Sequence, residues 1–224
     1  MTARAAPGST QTVDRFEFER ALQRDGVSIL AGVDEVGRGP LAGPVVAAAA
    51  VLPAVWIETG PPAELEGLND SKQLTEGQRE RYFAVLTATP GVHYAVEEVD
   101  VAVIDEINIL QATHRAMNQA LARLEPPPGH VLVDGRPVSS IRFPQTAIIK
   151  GDARSYSIAA ASVLAKVTRD RSMMRFDQEF PAYGFGEHKG YGTARHLEAI
   201  ARHGPCPIHR RSFAPFKPRQ AELF

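Results

Sequence analysis

The stretch 32-GVDEVGRGPLAGPVVAAAAVLP-53 places two adjacent carboxylates, Asp34 and Glu35, just before a glycine-rich turn. The residues leading into it, 27–34, are rich in β-branched and apolar side chains, and a second apolar run covers 44–52. Glycine and proline between two such runs predict a tight reversal of the chain, so we expect two neighbouring strands. The acids therefore stand at the mouth of the turn, where Arg38 is the one basic residue of the stretch.

The composition predicts one globular domain. The chain has 224 residues, 44% of them apolar, which is enough for a substantial core. Its longest apolar run, 45–52, is much shorter than the roughly 18 residues that cross a bilayer, so we expect a soluble protein. The first residues lack the apolar core of a secretory signal, and the single cysteine, Cys206, has no intrachain partner. Both features favour the reducing cytoplasm.

The net charge of −1 hides a marked asymmetry between the two parts of the chain. Residues 1–141 contain 11 basic and 19 acidic side chains, a charge of −8, whereas residues 142–224 contain 14 basic and 7 acidic side chains, a charge of +7. A basic half in a nearly neutral chain indicates either a surface for a polyanion such as nucleic acid or an ordinary solvated surface.

Periodicity predicts alternating helices and strands after the turn. Thr75 and Gln78 fit a capping box that opens a helix running to about Leu86. Apolar residues at helical spacing between 103 and 121 predict a long amphipathic helix, with His114 as an interior or boundary residue. Further strands are predicted at 92–99, 130–135 and 145–152, helices at 157–180 and 193–203, a surface excursion at 53–69 and a loop at 184–192.

These elements predict a mixed sheet with helices packed on it and a C-terminal helical extension. The expected organisation is a disordered or helical lead-in at 1–26, a catalytic domain at 27–180, a helical extension contributing to substrate binding at 181–216, and a tail at 217–224.

Three of the predicted strands end in acids: Asp34 with Glu35, Asp134, and Asp152. Strand ends of α/β sheets gather catalytic groups, although a single acid at such a place is more often a turn residue or helix cap. Four clustered carboxylates would repel each other unless cations bind between them, and oxygen ligands favour Mg²⁺ or Mn²⁺. Two such ions about 4 Å apart would support phosphodiester hydrolysis.

Seven motifs occur along the chain in a fixed order: 33-VDEVGRGPLAGPV-45, 69-NDSK-72, 133-VDG-135, 149-IKGD-152, 158-IAAASVLAKVTRD-170, 188-HKGYGT-193 and 209-HRRSF-213. Taken together and in this order, they resemble ribonuclease HII. The resemblance runs from about residue 27 to residue 216. It implies a ribonuclease H-like α/β fold, with a central mixed five-stranded sheet flanked by helices. It also implies endonucleolytic cleavage of RNA paired to DNA, including a single ribonucleotide embedded in duplex DNA, and a monomer.

The resemblance also assigns residues. The catalytic and metal-binding residues would be Asp34, Glu35, Asp134 and Asp152. The substrate-binding residues would be Gly37, Arg38, Gly39, Asn69, Ser71, Lys72 and Tyr191. The glycine-arginine-glycine backbone would approach the 2′-hydroxyl that separates RNA from DNA, the tyrosine would stack on the following deoxynucleotide sugar, and 69–72 would contact phosphate. Around two Mg²⁺ or Mn²⁺ ions, water would attack the phosphate 5′ to the ribonucleotide, leaving a 3′-hydroxyl and a 5′-phosphate for ribonucleotide removal from DNA.

Three other interpretations compete. The segment 37-GRGPLAG-43 could cradle a nucleotide phosphate, but its spacing is one residue too long for the dinucleotide fingerprint and no P-loop lysine follows. A nucleic-acid-binding module without catalysis is a second alternative, which the presence of all four acids disfavours. Ribonuclease HIII shares the fold but usually has an additional N-terminal domain, for which the residues before the first strand are too few.

The C-terminal region carries two weaker signals. His203, Cys206 and His209 have ligand-like spacing, but a structural zinc site needs four ligands and no fourth is evident nearby. The last five residues, 220-QAELF-224, resemble short peptides that bind bacterial sliding clamps. Gln220, Leu223 and Phe224 would then recruit the enzyme to replicated DNA.

Overall fold

The computed structural model describes residues 14–216. Its strands are β1 (Leu30–Val36), β2 (Val45–Val51), β3 (His93–Val99), β4 (His130–Asp134) and β5 (Gln145–Ile148). Its helices are α1 (Glu17–Arg24), α2 (Ala54–Thr59), α3 (Glu76–Ala88), α4 (Val101–Ala122), α5 (Tyr156–Glu179), α6 (Phe185–His188) and α7 (Ala194–His203). Two short 3₁₀ turns cover Ala63–Leu65 and Gly151–Ala153.

The five strands form one mixed sheet in the order β3-β2-β1-β4-β5. Strands β1 and β2 pair antiparallel from Ala31↔Val51 to Val36↔Val46, which confirms the predicted reversal at the glycine-rich turn. Strands β1 and β4 pair in parallel, as do β4 and β5. The fold class predicted from the motifs is confirmed.

The sheet is covered on both faces, which explains why β2 is apolar throughout. Val46, Ala48 and Ala50 belong to the core that includes the alanines of α5. The alternate residues of the strand belong to a second core built with α4, because successive side chains of a strand point to opposite faces. All seven residues of β2 are buried as a result.

Helix α5 lies directly on the strand that carries the paired acids. A Cβ atom at Gly32 would lie 2.2 Å from the carbonyl carbon of Ser157, so any larger residue would push the helix away from β1. The start of α5 is fixed by Ser155, whose side chain accepts a hydrogen bond from the amide of Ile158. This close approach fixes the position of the helix relative to Asp34, two residues further along the strand.

The helices α3 and α4 show one confirmed prediction and one correction. The capping box is present, since the Gln78 amide donates to the Thr75 hydroxyl and the Gln78 side chain accepts from the Thr75 amide. The predicted single helix over 103–121 is wrong in its middle, because Asn108 adopts φ 70° and interrupts α4. Its side-chain oxygen accepts hydrogen bonds from the amides of Leu110 and Gln111, so it caps the second half.

Helix α1 lies in the predicted lead-in and is anchored by a buried carboxylate. Glu19 accepts hydrogen bonds from the Ser155 hydroxyl at 2.7 Å and from the Ser157 amide at 3.1 Å. Burial raises the pKa of Glu19 above its usual value. Helices α2 and α6 occupy parts of the predicted excursion at 53–69 and loop at 184–192. Among the helices of residues 14–216, none has the length and apolar character needed to cross a membrane.

Candidate active site

Asp34 and Asp134 lie side by side where the parallel pairing of β1 and β4 stops. The last paired residues are Val33 and Val133, and an acid follows each of them. The prediction that Asp34 ends its strand is wrong, because β1 continues to Val36 in its antiparallel pairing with β2. Asp34 still lies where the sheet opens on one side, since β1 remains paired with β2 beyond this residue but is no longer paired with β4.

The third acidic position follows β5 by a few residues. The strand predicted over 145–152 ends at Ile148, and Asp152 lies in the 3₁₀ turn Gly151–Ala153. The Gly151 amide donates a 2.6 Å hydrogen bond to Oδ1 of Asp134, which ties this turn to the end of β4. A Cβ atom on Gly151 would lie 2.6 Å from the side chain of Ile158, so the turn also packs tightly on α5.

Burial and mutual repulsion disfavour the charged forms of two of these carboxylates. The pKa of Asp34 is raised well above its usual value by burial, then by the charges of Glu35 and Asp134. A contact with Ser162 on α5 and the hydrogen bond from the Glu35 amide act in the opposite direction. Burial, then the charges of Asp134 and Asp70, raises the pKa of Asp152 to about 6. Both carboxyl groups thus bind a proton more tightly than a freely exposed aspartate does.

Two basic side chains reach the acids from different parts of the chain. Nη1 of Arg38 lies 3.2 Å from Oε1 of Glu35, at the edge of the site. Burial lowers the pKa of Lys72, but the carboxylates of Asp34, Asp70 and Asp152 outweigh it and raise the pKa overall. The sequence around Asp34 and Glu35 contains no lysine, and the fold supplies one from the 69–72 segment.

The glycine-rich turn presents its middle to solvent next to Tyr191. Gly37 has φ +91°, and a Cβ atom there would lie 2.2 Å from Nε of Arg169, so only glycine fits. Arg38 and Gly39 are exposed. A Cβ atom on Gly39 would lie 3.8 Å from Cε1 of Tyr191, whose side chain is 44% exposed. The turn and the tyrosine therefore share one surface, as the motif resemblance leads us to expect.

The segment 69–72 is a tight turn, and its members differ in exposure. The side-chain oxygen of Asn69 accepts from the Asp70 amide at 2.9 Å, and Asp70 accepts from the Lys72 amide at 2.9 Å. Ser71 is buried, and its hydroxyl accepts a 3.0 Å hydrogen bond from Ser162 of α5. Lys72 is exposed, whereas Asn69 and Asp70 are partly buried.

Sequence reasoning missed two features that border the acids. Arg15, just before α1, donates a 2.7 Å hydrogen bond to the carbonyl of Asp152 and another to the carbonyl of Leu68. A cleft of about 600 Å³ on the α4 side is lined by Glu35, Asp134, His114 and Arg136, among others. The periodicity of α4 places His114 at the core boundary, but gives no signal that a cleft lies beside it. The sequence gives no indication that Arg15 lies near the acids, because the residues that it binds are more than 50 positions away.

A chain of buried histidines lies behind Tyr191. Nδ1 of His196 is 2.9 Å from the Tyr191 carbonyl, and its Nε2 is 3.0 Å from Nε2 of His209. Nδ1 of His209 accepts from the Cys206 amide at 2.9 Å. Burial, then the neighbouring His196, lowers the pKa of His209 to about 4, so the ring is neutral at pH 7. Two of the three residues considered as zinc ligands thus take part in this hydrogen-bonded chain, which holds the backbone of Tyr191.

The acids fit a divalent cation by their chemistry, although they are not arranged as a finished site. In residues 14–216, no group of three or more His, Cys, Asp or Glu side chains is placed so that it could hold a metal ion. The pKa of Asp34 is nevertheless raised, first by burial and then by the charges of Glu35 and Asp134, which disfavour a further negative charge beside them. A cation would relieve this repulsion, and hard oxygen donors favour Mg²⁺ or Mn²⁺. We therefore expect side-chain rotation to accompany metal binding.

A mixed five-stranded sheet with acids on its two adjacent central strands, and a helix packed across them, defines a ribonuclease H-like protein. Comparison with known proteins is more specific. The family described as Ribonuclease HII matches residues 31–216. A ribonuclease HII from Geobacter metallireducens is 52% identical over 202 residues, covering 90% of this chain and 91% of the relative. The chain belongs to the ribonuclease HII family, and it is therefore a ribonuclease H enzyme that acts on nucleic acid.

Solved structures agree with this assignment. The crystal structure of ribonuclease H2 from Pyrococcus horikoshii has a TM-score of 0.67 at 33% identity, covering 84% of this chain and 95% of that one. The ribonuclease HII of Archaeoglobus fulgidus, solved in complex with PCNA, has a TM-score of 0.66 at 26% identity, covering 88% of this chain and 98% of that one. The motif resemblance is confirmed, whereas the roles of individual residues stay predictions.

Proposed function

We propose that this enzyme hydrolyses the RNA strand of RNA/DNA hybrids and nicks duplex DNA immediately 5′ to an embedded ribonucleotide, leaving a 3′-hydroxyl and a 5′-phosphate. The observation that carries the proposal is the placement of the acids. Buried Asp34, with its raised pKa, lies at the end of the β1/β4 pairing, beside the exposed turn of Arg38 and Gly39 and close to Lys72. One site thus combines cation-binding oxygens with groups suited to a nucleotide.

The four acids divide the work according to their positions. Asp34 and Asp134, on adjacent strands, would be shared ligands of two Mg²⁺ or Mn²⁺ ions, and Glu35 and Asp152 would complete the coordination from either side. When bound, these cations would neutralise the carboxylates and supply an activated water and stabilisation of the leaving oxygen. The strands fix the two central carboxylates, while the 3₁₀ turn holds Asp152 through the contact between the Gly151 amide and Asp134.

The turn and Tyr191 would select the sugar. The backbone at Gly39 is open to solvent, so a ribose can approach it closely. The ring of Tyr191 would stack on the sugar that follows the ribonucleotide, and so recognise an RNA-to-DNA junction. Lys72 would contact a phosphate, as would the backbone of the 69–72 turn, whereas the buried Ser71 would support that turn from inside.

The test uses a DNA duplex with one internal ribonucleotide, incubated with Mg²⁺, with Mn²⁺ and with chelator. We expect a metal-dependent nick immediately 5′ to the ribonucleotide. Cleavage of a long RNA/DNA hybrid without cleavage of this duplex would support the nuclease activity but refute the recognition of an RNA-to-DNA junction by Arg38 and Tyr191. Binding without cleavage of either substrate would instead favour a module that only binds nucleic acid.

We also propose that the tail at 220-QAELF-224 binds a DNA sliding clamp. These residues lie outside the described part of the chain, so the support is their sequence together with the Archaeoglobus fulgidus relative, which was solved with PCNA. Gln220 would bind the rim of the clamp pocket, and Leu223 and Phe224 would enter it. A chain that stops at Arg219 should lose clamp binding but keep its activity on short duplexes. Equal clamp binding by the two chains would refute the proposal.

A further inference from the structure

Two arginines are completely buried behind the glycine-rich turn. Arg169, on α5, and Arg210, near the end of the described chain, are each 0% exposed. A buried cation usually needs a carboxylate partner, because taking a charge out of water is costly. Within residues 14–216, the acceptors of these two side chains are all backbone carbonyl oxygens. The fold therefore uses two arginines to bind peptide groups.

Arg210 holds the turn at both of its ends. Its Nη1 donates to the carbonyl of Arg38 at 2.9 Å, and its Nη2 donates to the carbonyl of Gly37 at 2.5 Å. The same Nη2 also reaches Gly43 at 2.8 Å and Pro44 at 3.1 Å, and Nε reaches Gly43 at 3.0 Å. One planar fork thus joins the first and last residues of the turn, and five contacts satisfy it without a carboxylate.

Arg169 anchors the far side of the turn to the segment that carries Tyr191. Its Nε donates to the carbonyl of Pro44 at 3.0 Å and its Nη2 to that of Ala42 at 3.2 Å. Its Nη1 donates to the carbonyl of Lys189 at 3.1 Å. The turn and the tyrosine segment are therefore fixed to the same buried side chain.

These contacts determine which way the peptide groups of the turn face. The peptide bonds after Gly37 and Arg38 are trans, and in a trans peptide the carbonyl and the following amide point in opposite directions. Since the carbonyls of Gly37 and Arg38 point inward to Arg210, the amides of Arg38 and Gly39 point outward. Both residues are exposed, and neither amide donates to an acceptor in the described structure. The result is a pair of free donors on the surface next to Tyr191.

We propose that Arg210 is a positioning residue for recognition of the ribonucleotide, because it holds the amides of Arg38 and Gly39 outward toward the sugar. Arg169 supports it by keeping the turn and the Tyr191 segment together. The inference rests on the proposed function of the turn, and it adds the interior residue on which that function depends. Burial, then the charge of Arg169, lowers the pKa of Arg210 to about 9, so it keeps its charge at neutral pH.

The first test needs only the wild-type protein. Amides that no acceptor holds are ordinarily mobile in an exposed turn, but here the carbonyls of the same peptides are bound. We expect ¹⁵N relaxation to give order parameters of about 0.85 for Arg38 and Gly39, as for a rigid strand. Values below about 0.6 would overturn the proposal. Because this measurement uses no substitution, a variant that fails to fold does not leave the proposal undecided.

The second test compares two sugars in variants. Arg210→Lys keeps a positive charge but replaces the planar fork with one ammonium nitrogen, which cannot occupy both the Nη1 position at Arg38 and the Nη2 position at Gly37 and Gly43. Arg211→Lys, at an exposed neighbouring position, is the matched control. Each protein is given duplexes with one ribonucleotide or one 2′-fluoro nucleotide, which keeps a similar sugar shape but accepts hydrogen bonds poorly. The readout is the ratio of kcat/KM for the two.

We expect wild type and Arg211→Lys to prefer the ribonucleotide, and this preference to fall by about tenfold in folded Arg210→Lys. An unchanged preference in a folded variant would overturn the proposal. If wild type itself cleaves both duplexes equally, the sugar contact in the proposed function is wrong, and this positioning role is overturned with it even if the relaxation data show a rigid turn. If the enzyme cleaves the ribonucleotide duplex but ¹⁵N relaxation shows a mobile turn, the role of Arg210 is refuted while the proposed enzyme activity stands.

Discussion

Two groups of charged side chains are buried a short distance apart, and the protein treats them in opposite ways. Arg169 and Arg210 lie behind the turn, where backbone carbonyls surround each guanidinium group. For Asp34 and Asp152, burial and then neighbouring carboxylates raise the pKa of each. The cations are satisfied by the fold itself, whereas the surroundings of the acids disfavour their charged forms.

The difference separates structural charge from functional charge. Burial of a charged group is costly, and a group that serves only the fold acquires enough partners to offset that cost. A group whose partners are missing from the protein must find them elsewhere, here in a cation and a substrate phosphate. The predictions below change the acids, the packing around the arginines and the protonation of buried groups, from the largest expected effect to the smallest.

The largest effect is expected from Asp134→Asn. The amide is nearly isosteric and its oxygen can still accept from the Gly151 amide, so the fold should survive. Activity should fall more than about 100-fold, because even groups that only support metal ligands typically contribute roughly 10- to 100-fold. The measurement is kcat/KM on the ribonucleotide duplex together with a thermal melt. Glu106→Gln, on an exposed position of α4, is the control and should behave as wild type.

A large effect on stability is expected from Gly37→Ala. The new Cβ would meet Arg169 at 2.2 Å and would require φ +91° of an L-residue, so the arginine would lose its place. We expect a loss of at least about 2 kcal/mol in the free energy of unfolding. Gly39→Ala is the matched control, since its Cβ would make an ordinary 3.8 Å contact with Tyr191. Equal melting temperatures for the two variants would show that the turn does not depend on its packing against Arg169.

A gain in stability is expected from Asp34→Asn. Its pKa is raised in the folded protein, so at neutral pH the charged form costs stability, and a neutral amide removes that cost. Without metal ions, the melting temperature should rise by a few degrees while activity is lost. Added Mg²⁺ or Mn²⁺ should stabilise wild type more than the variant. If Asp34→Asn instead melts at a lower temperature than wild type in chelator, the charged form of Asp34 does not cost stability in the folded protein.

The sequence predicted much of the fold because the decisive patterns are local. Strand alternation, the capping box of Thr75 and Gln78, and the apolar run of β2 each follow from neighbours in the chain. The break at Asn108 escaped prediction because the apolar pattern continues across it, while the hydrogen bonds that its side chain accepts from the Leu110 and Gln111 amides leave no mark in that pattern.

The site was predictable where motifs carry it, and unpredictable where partners are distant in sequence. The acids and the turn could be chosen from residue types and spacing. The arginine contacts could not, because the charge of Arg210 gives no sign of which carbonyls, 166 to 173 positions away, it binds. Lys72 illustrates the same limit, since its approach to Asp34 depends on how the 69–72 turn packs against α5.

The smallest effect concerns the pH dependence of stability, in which an acid and a histidine oppose each other. The pKa of Asp152 is about 6 in the folded state, above its usual value, so its contribution is fully present below pH 3.8 and is lost as pH rises through 6. The pKa of His209 is about 4, below its usual 6.5, so its contribution is present above pH 6.5 and is lost as pH falls toward 4. Between pH 4 and 6 the two contributions have opposite slopes.

Removing either group should expose the slope of the other. Asp152→Asn should make the free energy of unfolding fall more steeply on acidification, and His209→Gln should make it fall less steeply than in wild type. Each change is limited to about 1.4 kcal/mol per pH unit, the maximum for one proton. Urea unfolding in chelator at pH 4, 5, 6 and 7 measures the slopes, whatever the overall stability of each variant. If the plots of unfolding free energy against pH are parallel for the three proteins, neither group changes its proton affinity on folding. The charge of Asp152 would then be as well accommodated in the folded protein as those of the buried arginines.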